Sequence, residues 1–163
     1  MLPSLSSFKN EHYLSNIEVT DSYILEANQR EIERLSVIYS NPISSLRRSL
    51  GFDLANYSAA YTESKNKYYQ SPALEKAMNL IVDFLLKEQK PDGTLDFGNL
   101  SSPPDTAFII DPLCAAARIL QSASGMEKLK SNLRIFITRA ANQLAIGGVH
   151  TPNHRWVVSS ALE

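Results

Sequence analysis

Two histidines, an asparagine, an arginine and a tryptophan lie within the short string HTPNHRW (150–156). Imidazole rings can transfer protons or bind metal ions. Pro152 is expected to start a helix, in which case His150 lies before the cap and does not share the helix face that carries His154. No cysteine lies nearby and no acidic residue lies between the histidines, so we predict no metal and no other cofactor. His150 is kept as a candidate substrate-binding residue.

The first turn of this last helix suits acid–base chemistry on a carboxylate. Thr151 is expected to cap the helix, which puts Asn153 and His154 beside unpaired amide N–H groups that attract anions. A neutral imidazole could then take a proton next to a carboxylate, while the asparagine stabilises the charge on the carboxylate oxygens. Arg155 would hold a carboxylate and Trp156 would stack on a sugar. The alternative is that Asn153 and His154 only complete the cap, with Arg155 solvated and Trp156 in the core.

A second group of candidates lies in and beside the turn-rich stretch KPDGTLDFGNLSSPP (90–104). A long loop in a helical domain is often functional. Asp105 is either a helix N-cap or a general acid or base, and with a second carboxylate it would support glycoside hydrolysis. Asp92 is a candidate substrate-binding residue in the same loop. Tyr69 is a candidate for stacking on a sugar, with surface packing as the alternative.

The composition is that of an ordinary globular chain, and its 163 residues suit one domain over 1–163. The net charge of −1 argues against a nucleic-acid partner, which needs a basic surface. No run of about 18 apolar residues is present, which predicts no membrane partner. The start lacks the pattern of a signal peptide, so we expect a cytoplasmic protein, with an exported form left open. Cys114 is the single cysteine and is expected in the core.

Hydrophobic residues recur at a spacing of three to four, and no segment shows convincing period-two alternation bounded by turns. The fold class is therefore predicted to be all-α, built from antiparallel helical hairpins. Helices are predicted over 24–40, 43–62, 71–89, a region ending at 120 with a kink or fresh start at Asp111-Pro112, 126–145, and from 152 onward; 1–20 is expected to be irregular. The last helix has no stop signal, so we expect a fragment of a longer helical array.

Three strings carry a resemblance to a known family: RRSLGFDLANYSAAYTESKNKYYQSPAL, QKPDGTLDFGNLSSPPDTAFIIDPL and IGGVHTPNHRWVVSSAL. Together they resemble the helical domain of heparinase II/III-like proteins, which belong with the α/α-toroid polysaccharide lyases. The resemblance covers about 41–163. It implies an incomplete α/α toroid of helical hairpins, with a carbohydrate cleft along its inner rim and an acidic oligo- or polysaccharide as partner.

The resemblance also implies roles for residues. Asn153 would neutralise the substrate carboxylate, and His154 would act as the base or assist one. A tyrosine would protonate the leaving oxygen, from further along the chain than this sequence extends, and the rest of a toroid or a β-sandwich domain would follow. We therefore expect a uronate-polysaccharide lyase that works by β-elimination. The alternatives are a glycoside hydrolase on the same fold that uses Asp105, and a non-catalytic helical module that binds a glycan or a partner.

Overall fold

A computed structural model describes residues 11–38, 43–98, 103–146 and 152–163, with side chains described for all of these except 11–20, 36–38 and Asn153. Within these ranges every regular element is a helix, which confirms the all-α class. The helices are α1 (Glu11–Ile38), α2 (Ser49–Thr62), α3 (Pro72–Glu88), α4 (Pro103–Leu120), α5 (Glu127–Ile146) and α6 (Pro152–Leu162).

The helix boundaries differ from the predicted ones mainly in α1 and α2. Residues 11–20, which fall in the segment predicted to be irregular, belong to α1. The helical period continues through Leu14 and Ile17, so the polar residues between them do not end the helix. Helix α2 begins six residues later than predicted, after a short non-helical stretch over 43–48. Helix α3 begins at Pro72, its first helical position, as predicted.

Pro112 does not start a new helix, which is one of the two alternatives, a kink or a fresh start, that the sequence predicts there. The helix is continuous from Pro103 to Leu120, with Pro112 inside it and buried. A proline in a helix removes one backbone hydrogen bond and crowds the preceding turn. Here the ring packs against α2, which compensates part of that cost.

Helices α2 and α4 lie side by side and run in the same direction. Arg48, which precedes α2, pairs with Asp105 in the first turn of α4. At the other end, Thr62 and Ser122 line the same cavity. We call the end marked by Arg48 and Asp105 the N-terminal edge, and the end marked by Thr62 and Ser122 the C-terminal edge.

Helices α3 and α5 form a second parallel pair. The Asn132 side-chain amide donates to the Asp83 carboxylate (3.1 Å), and the Gln89 amide donates to the Phe136 carbonyl oxygen (3.0 Å). Helix α3 contacts α2, α5 contacts α4, and α6 packs on both α4 and α5. The described chain therefore stacks the hairpin α2–α3 beside the hairpin α4–α5, and α6 adds a further helix next to α4.

The core lies between the two pairs of helices. Its largest fully buried side chains come from α1, α2, α3, α4, α5 and the loop before α4; they are Ile32, Leu35, Leu50, Leu54, Tyr57, Met78, Ile81, Leu85, Leu95, Ile109, Ile110 and Phe136. Leu95 shows that part of the long loop enters this core, because its side chain is fully buried and its backbone N–H donates to the Thr106 hydroxyl (2.9 Å).

Gly51 is the point of closest approach between α2 and α4. A Cβ atom at this position would lie 2.9 Å from the Ile109 side chain, 2.9 Å from the Pro112 ring and 3.0 Å from the Ile109 carbonyl oxygen. These separations are shorter than ordinary van der Waals contacts. A glycine inside a helix is normally unfavourable, and here the close crossing accounts for it.

We predict that Gly51→Ala destabilises the protein by about 1–3 kcal/mol, because the added methyl group forces α2 and α4 apart. At an exposed helical position the same change would stabilise by about 1 kcal/mol. Urea unfolding measures the difference, with Asn142→Ala on the exposed surface of α5 as the control. Unchanged or increased stability of Gly51→Ala would contradict the close crossing.

Candidate functional site

The predicted site residues of α6 lie on different faces of the helix. His154, Val157 and Ala161 are partly buried and Val158 is buried, so this face packs on α4 and α5. Trp156 is 80% exposed, which excludes the alternative that it belongs to the core. Successive helical residues are about 100° apart, so the Trp156 ring points away from the direction of His154. Arg155 and Trp156 therefore do not share one face with His154.

His154 has a feature that ordinary packing does not explain. Its Nδ1 atom is buried and makes no hydrogen bond with any described residue. A buried nitrogen without a partner costs about 1–3 kcal/mol. Asn153 lies in the first turn of α6, but its side chain, like His150 and Thr151 as a whole, is outside the described residues.

Asp105 lies in the first turn of α4, at its third residue, and not at the N-cap. Its side chain is 7% exposed and its carboxylate is paired with the Arg48 guanidinium. A carboxylate in the first turn also interacts favourably with the positive end of the helix. This geometry gives Asp105 a structural role, because the ion pair joins the starts of α2 and α4.

Arg48 is a residue that the sequence analysis did not single out. Its guanidinium carbon lies 4.9 Å from the centre of the Phe108 ring and 5.8 Å from the centre of the Phe97 ring. Its side chain is nevertheless 50% exposed. The carboxylate and the two rings hold the guanidinium in place while part of it faces solvent. The pair Arg47-Arg48 before a helix was a weak signal, because sequence does not show which side chains surround it.

Asp92 has a structural role in the turn that the sequence predicts at Pro91-Asp92-Gly93. Its carboxylate accepts hydrogen bonds from the Thr94 backbone N–H (2.9 Å) and the Thr94 hydroxyl (2.7 Å). These bonds, first from the backbone and then from the hydroxyl, lower the pKa of Asp92. Gly93 in this turn has a φ of +93° and packs against the backbone of Arg139 in α5. The turn therefore holds the loop on α5.

Tyr69 lies at the C-terminal edge, near two cavities that share Thr62 and Ser122 as lining residues. The larger has a volume of about 1230 Å³ and lies between α1, α2, the α2–α3 connection and the end of α4. The smaller has a volume of about 170 Å³ and is lined by Tyr69 and Gln70. We call the two together the edge groove. Tyr69 is 45% exposed, and its hydroxyl accepts a hydrogen bond from the Gln70 side chain (3.1 Å).

The predicted candidates therefore do not all converge on one site. Asp105 lies at the N-terminal edge and Tyr69 at the C-terminal edge, at opposite ends of α2. Helix α2 has 14 residues, which at the helical rise corresponds to roughly 20 Å. A single sugar unit cannot contact both residues.

Among the described residues, no group of three or more histidine, cysteine, aspartate or glutamate side chains is arranged to hold a metal ion. None of the described helices has both the length and the apolar character that crossing a membrane requires.

Comparison of the chain with known protein families, with curated proteins and with solved structures found no match. The resemblance to heparinase II/III-like proteins therefore stays a prediction.

We predict that Arg48→Met destabilises the protein by about 2–3 kcal/mol, because it removes the guanidinium that pairs with the buried Asp105 carboxylate. Asp105→Asn should cost less, about 1–2 kcal/mol, because the Arg48 side chain it leaves behind is half exposed to water. The double variant should be more stable than the sum of the two losses implies. Urea unfolding of the four proteins measures the coupling, and strictly additive losses would show that the pair contributes nothing.

We predict that Asp92→Ala destabilises the protein by about 1 kcal/mol at neutral pH, because the turn loses two hydrogen bonds. The pKa of Asp92 is lowered in the folded state, so its contribution is present above the unfolded value of about 3.9. That contribution is lost as the pH falls through the folded pKa. Thermal unfolding at neutral and acidic pH tests this, with the exposed Asp111→Ala as the control. A loss of the same size at both pH values would argue against it.

Proposed function

We propose that this chain is a carbohydrate-active helical domain that acts on uronate-containing polysaccharides by β-elimination. The observation that carries the proposal is the buried Nδ1 atom of His154, which has no partner among the described residues. Buried polar atoms in folded proteins are nearly always paired, and an exception needs an explanation such as a catalytic role. The missing partner of this nitrogen supports a role for the His154 imidazole in proton transfer.

The surroundings of His154 suit a substrate carboxylate. Helix α6 begins at Pro152, and its first backbone N–H groups have no partner within the helix. They stabilise negative charge, which a uronate supplies. Asn153 in the same turn would donate a hydrogen bond to the carboxylate as its charge increases during the reaction.

The reaction follows from these positions. His154 takes the proton from the carbon that bears the carboxylate, and the electron pair left behind forms a double bond to the neighbouring carbon. The bond from that neighbouring carbon to the glycosidic oxygen breaks at the same time. The leaving oxygen takes a proton from a donor, which by the resemblance would be a tyrosine. The products are a new chain end and an unsaturated uronide, and the step consumes no water.

Arg48 supports the choice of an acidic glycan. The second half of α5 lies near the N-terminal edge, because Gly93 packs on Arg139 while Leu95, two residues later, donates to Thr106 near the start of α4. Only residues 147–151 separate α5 from α6, so we place the start of α6 on that side. A fixed, half-exposed guanidinium there would pair with the carboxylate of a neighbouring uronate unit.

The geometry favours this proposal over a hydrolase that uses Asp105. A hydrolase needs a carboxylic acid that can give its proton to the leaving oxygen. The Asp105 carboxylate is instead held by the Arg48 guanidinium and is almost fully buried.

We predict that the protein produces the ultraviolet absorbance of an unsaturated uronide from at least one member of a panel of acidic glycans. His154→Ala should lower the rate by about 10²–10⁴, the usual contribution of a general base. His154→Gln should do the same, because an amide keeps hydrogen bonding but takes up no proton. Ser160→Ala, at an exposed position of α6, is the matched control and should keep the full rate.

Three results would contradict the proposal. The first is no chromophore from any uronate, together with unchanged behaviour of His154→Ala. The second is release of reducing ends without the chromophore, lost in Asp105→Asn and kept in His154→Gln, which would indicate a hydrolase. The third is glycan binding without turnover while all variants stay folded, which would indicate a non-catalytic module.

A further inference from the structure

We propose that the edge groove at the C-terminal edge is a second binding site, and that its ligand is an uncharged, hydroxyl-rich oligosaccharide. The larger cavity of about 1230 Å³ exceeds the roughly 300–1,000 Å³ typical of small-molecule pockets, so it has room for several sugar units. The site lies at the far end of α2 from Arg48 and Asp105. It does not depend on the elimination chemistry proposed for His154.

Three asparagines provide the first argument, since they place amide groups in fixed positions along the groove. The Asn28 side chain donates to the Asn56 carbonyl oxygen (3.1 Å) and accepts from the Asn66 side chain (2.9 Å). Asn66 is buried, and its side-chain oxygen also accepts from the Tyr68 N–H (2.9 Å). All three asparagines line the larger cavity. Amides held in this way are preorganised for the hydroxyl groups of a sugar.

Asn56 is the member of this set that is left for a ligand. Its backbone carbonyl is used by Asn28, but its side-chain amide makes no hydrogen bond with the described residues. The amide is partly buried in the wall of the cavity. Thr62 and Ser122 add hydroxyl groups where the two cavities join.

The charges of the groove favour a neutral ligand. Glu31 is already paired with Arg34. Of the other charged lining residues, Asp21 and Glu63 are acidic and Lys65 and Arg118 are basic, so their charges cancel. The two acidic side chains would repel a polyanion, and the two basic side chains would repel a polycation. Uncharged hydroxyl groups can bond to both kinds of side chain.

Tyr69 gives the groove an aromatic end. Its ring is 45% exposed, and the Gln70 side chain donates to its hydroxyl (3.1 Å). Gln70 has a φ of +50°, and its backbone N–H donates to the Tyr61 carbonyl oxygen (3.0 Å), which fixes this corner of the chain. An exposed aromatic ring packs well against the C–H face of a sugar. Amides along the wall and a ring at one end are together suited to a carbohydrate.

The test uses the full chain and three uncharged probes: cellohexaose, xylohexaose and maltohexaose. We expect at least one to shift the asparagine side-chain amide signals in heteronuclear NMR spectra, with a measurable dissociation constant below about 10 mM. Asn56→Ala removes the amide but keeps the carbonyl that Asn28 contacts, and should weaken binding about fivefold. Tyr69→Ala removes the ring and should weaken it about tenfold.

The controls are matched to each change. Asn142→Ala removes an exposed asparagine from α5, and Phe52→Ala removes a ring that is 59% exposed near the start of α2. Neither should alter the dissociation constant. Ala59→Trp adds a large side chain to the lining of the groove and should block it, and it keeps the asparagines intact.

Several outcomes would overturn the proposal. One is no shift with any neutral probe up to about 10 mM. A second is that a control variant and its matched variant weaken binding equally. A third is that hexagalacturonate or a neutral hexapeptide binds at least as tightly as the sugars. A fourth is that Ala59→Trp leaves binding unchanged. This proposal and the elimination proposal can fail separately. His154→Ala lacks the base proposed for elimination, but it should bind the neutral probe as tightly as the unaltered protein does.

Discussion

The close crossing of α2 and α4 at Gly51 is the constraint on which the rest of the fold depends. Without a Cβ atom at this position, the α2 backbone can approach the Ile109 carbonyl oxygen and the Pro112 ring. This contact fixes the parallel alignment of the two helices, and with it the pairing of Arg48 with Asp105 at one end. The same alignment brings the ends of α2 and α4 together around the edge groove.

Hydrogen bonding explains why several polar residues that could in principle take part in chemistry instead stabilise the fold. A loop that enters a helical core must satisfy its backbone N–H and carbonyl groups there. Asp92 bonds to the N–H and hydroxyl of Thr94, and Thr106 accepts from the N–H of Leu95. Gln89 donates to a carbonyl oxygen of α5. The polar side chains of this loop are largely used in bonds that let it pack.

Most of the helices could be predicted from the sequence, whereas the contacts of individual polar side chains could not, for one physical reason. Hydrophobic period and proline or glycine signals are local, so α3 and α5 were predicted within about two residues. The sequence does not show whether a carboxylate acts on a substrate or pairs with an arginine. The role of Asp105 could therefore be assigned only once the structure placed Arg48 beside it. The link between Asn28 and Asn66 joins residues 38 positions apart, and no local pattern indicates such a contact.

The two proposed sites are separate in their electrostatics but joined through one pair of helices. The N-terminal edge and the edge groove lie roughly 20 Å apart along α2, well beyond the distance of about 8 Å over which salt screens exposed charges at physiological ionic strength. A charged ligand at the N-terminal edge therefore has little direct effect on the groove. Any coupling between them must pass through the packing of α2 on α4, where a small shift at Gly51 would move both the Arg48–Asp105 pair and the walls around Thr62. Close-packed helices resist such shifts, so the fold presents the two surfaces in a fixed relation, and a polysaccharide with both uronate and neutral units that spans both would meet them in one orientation.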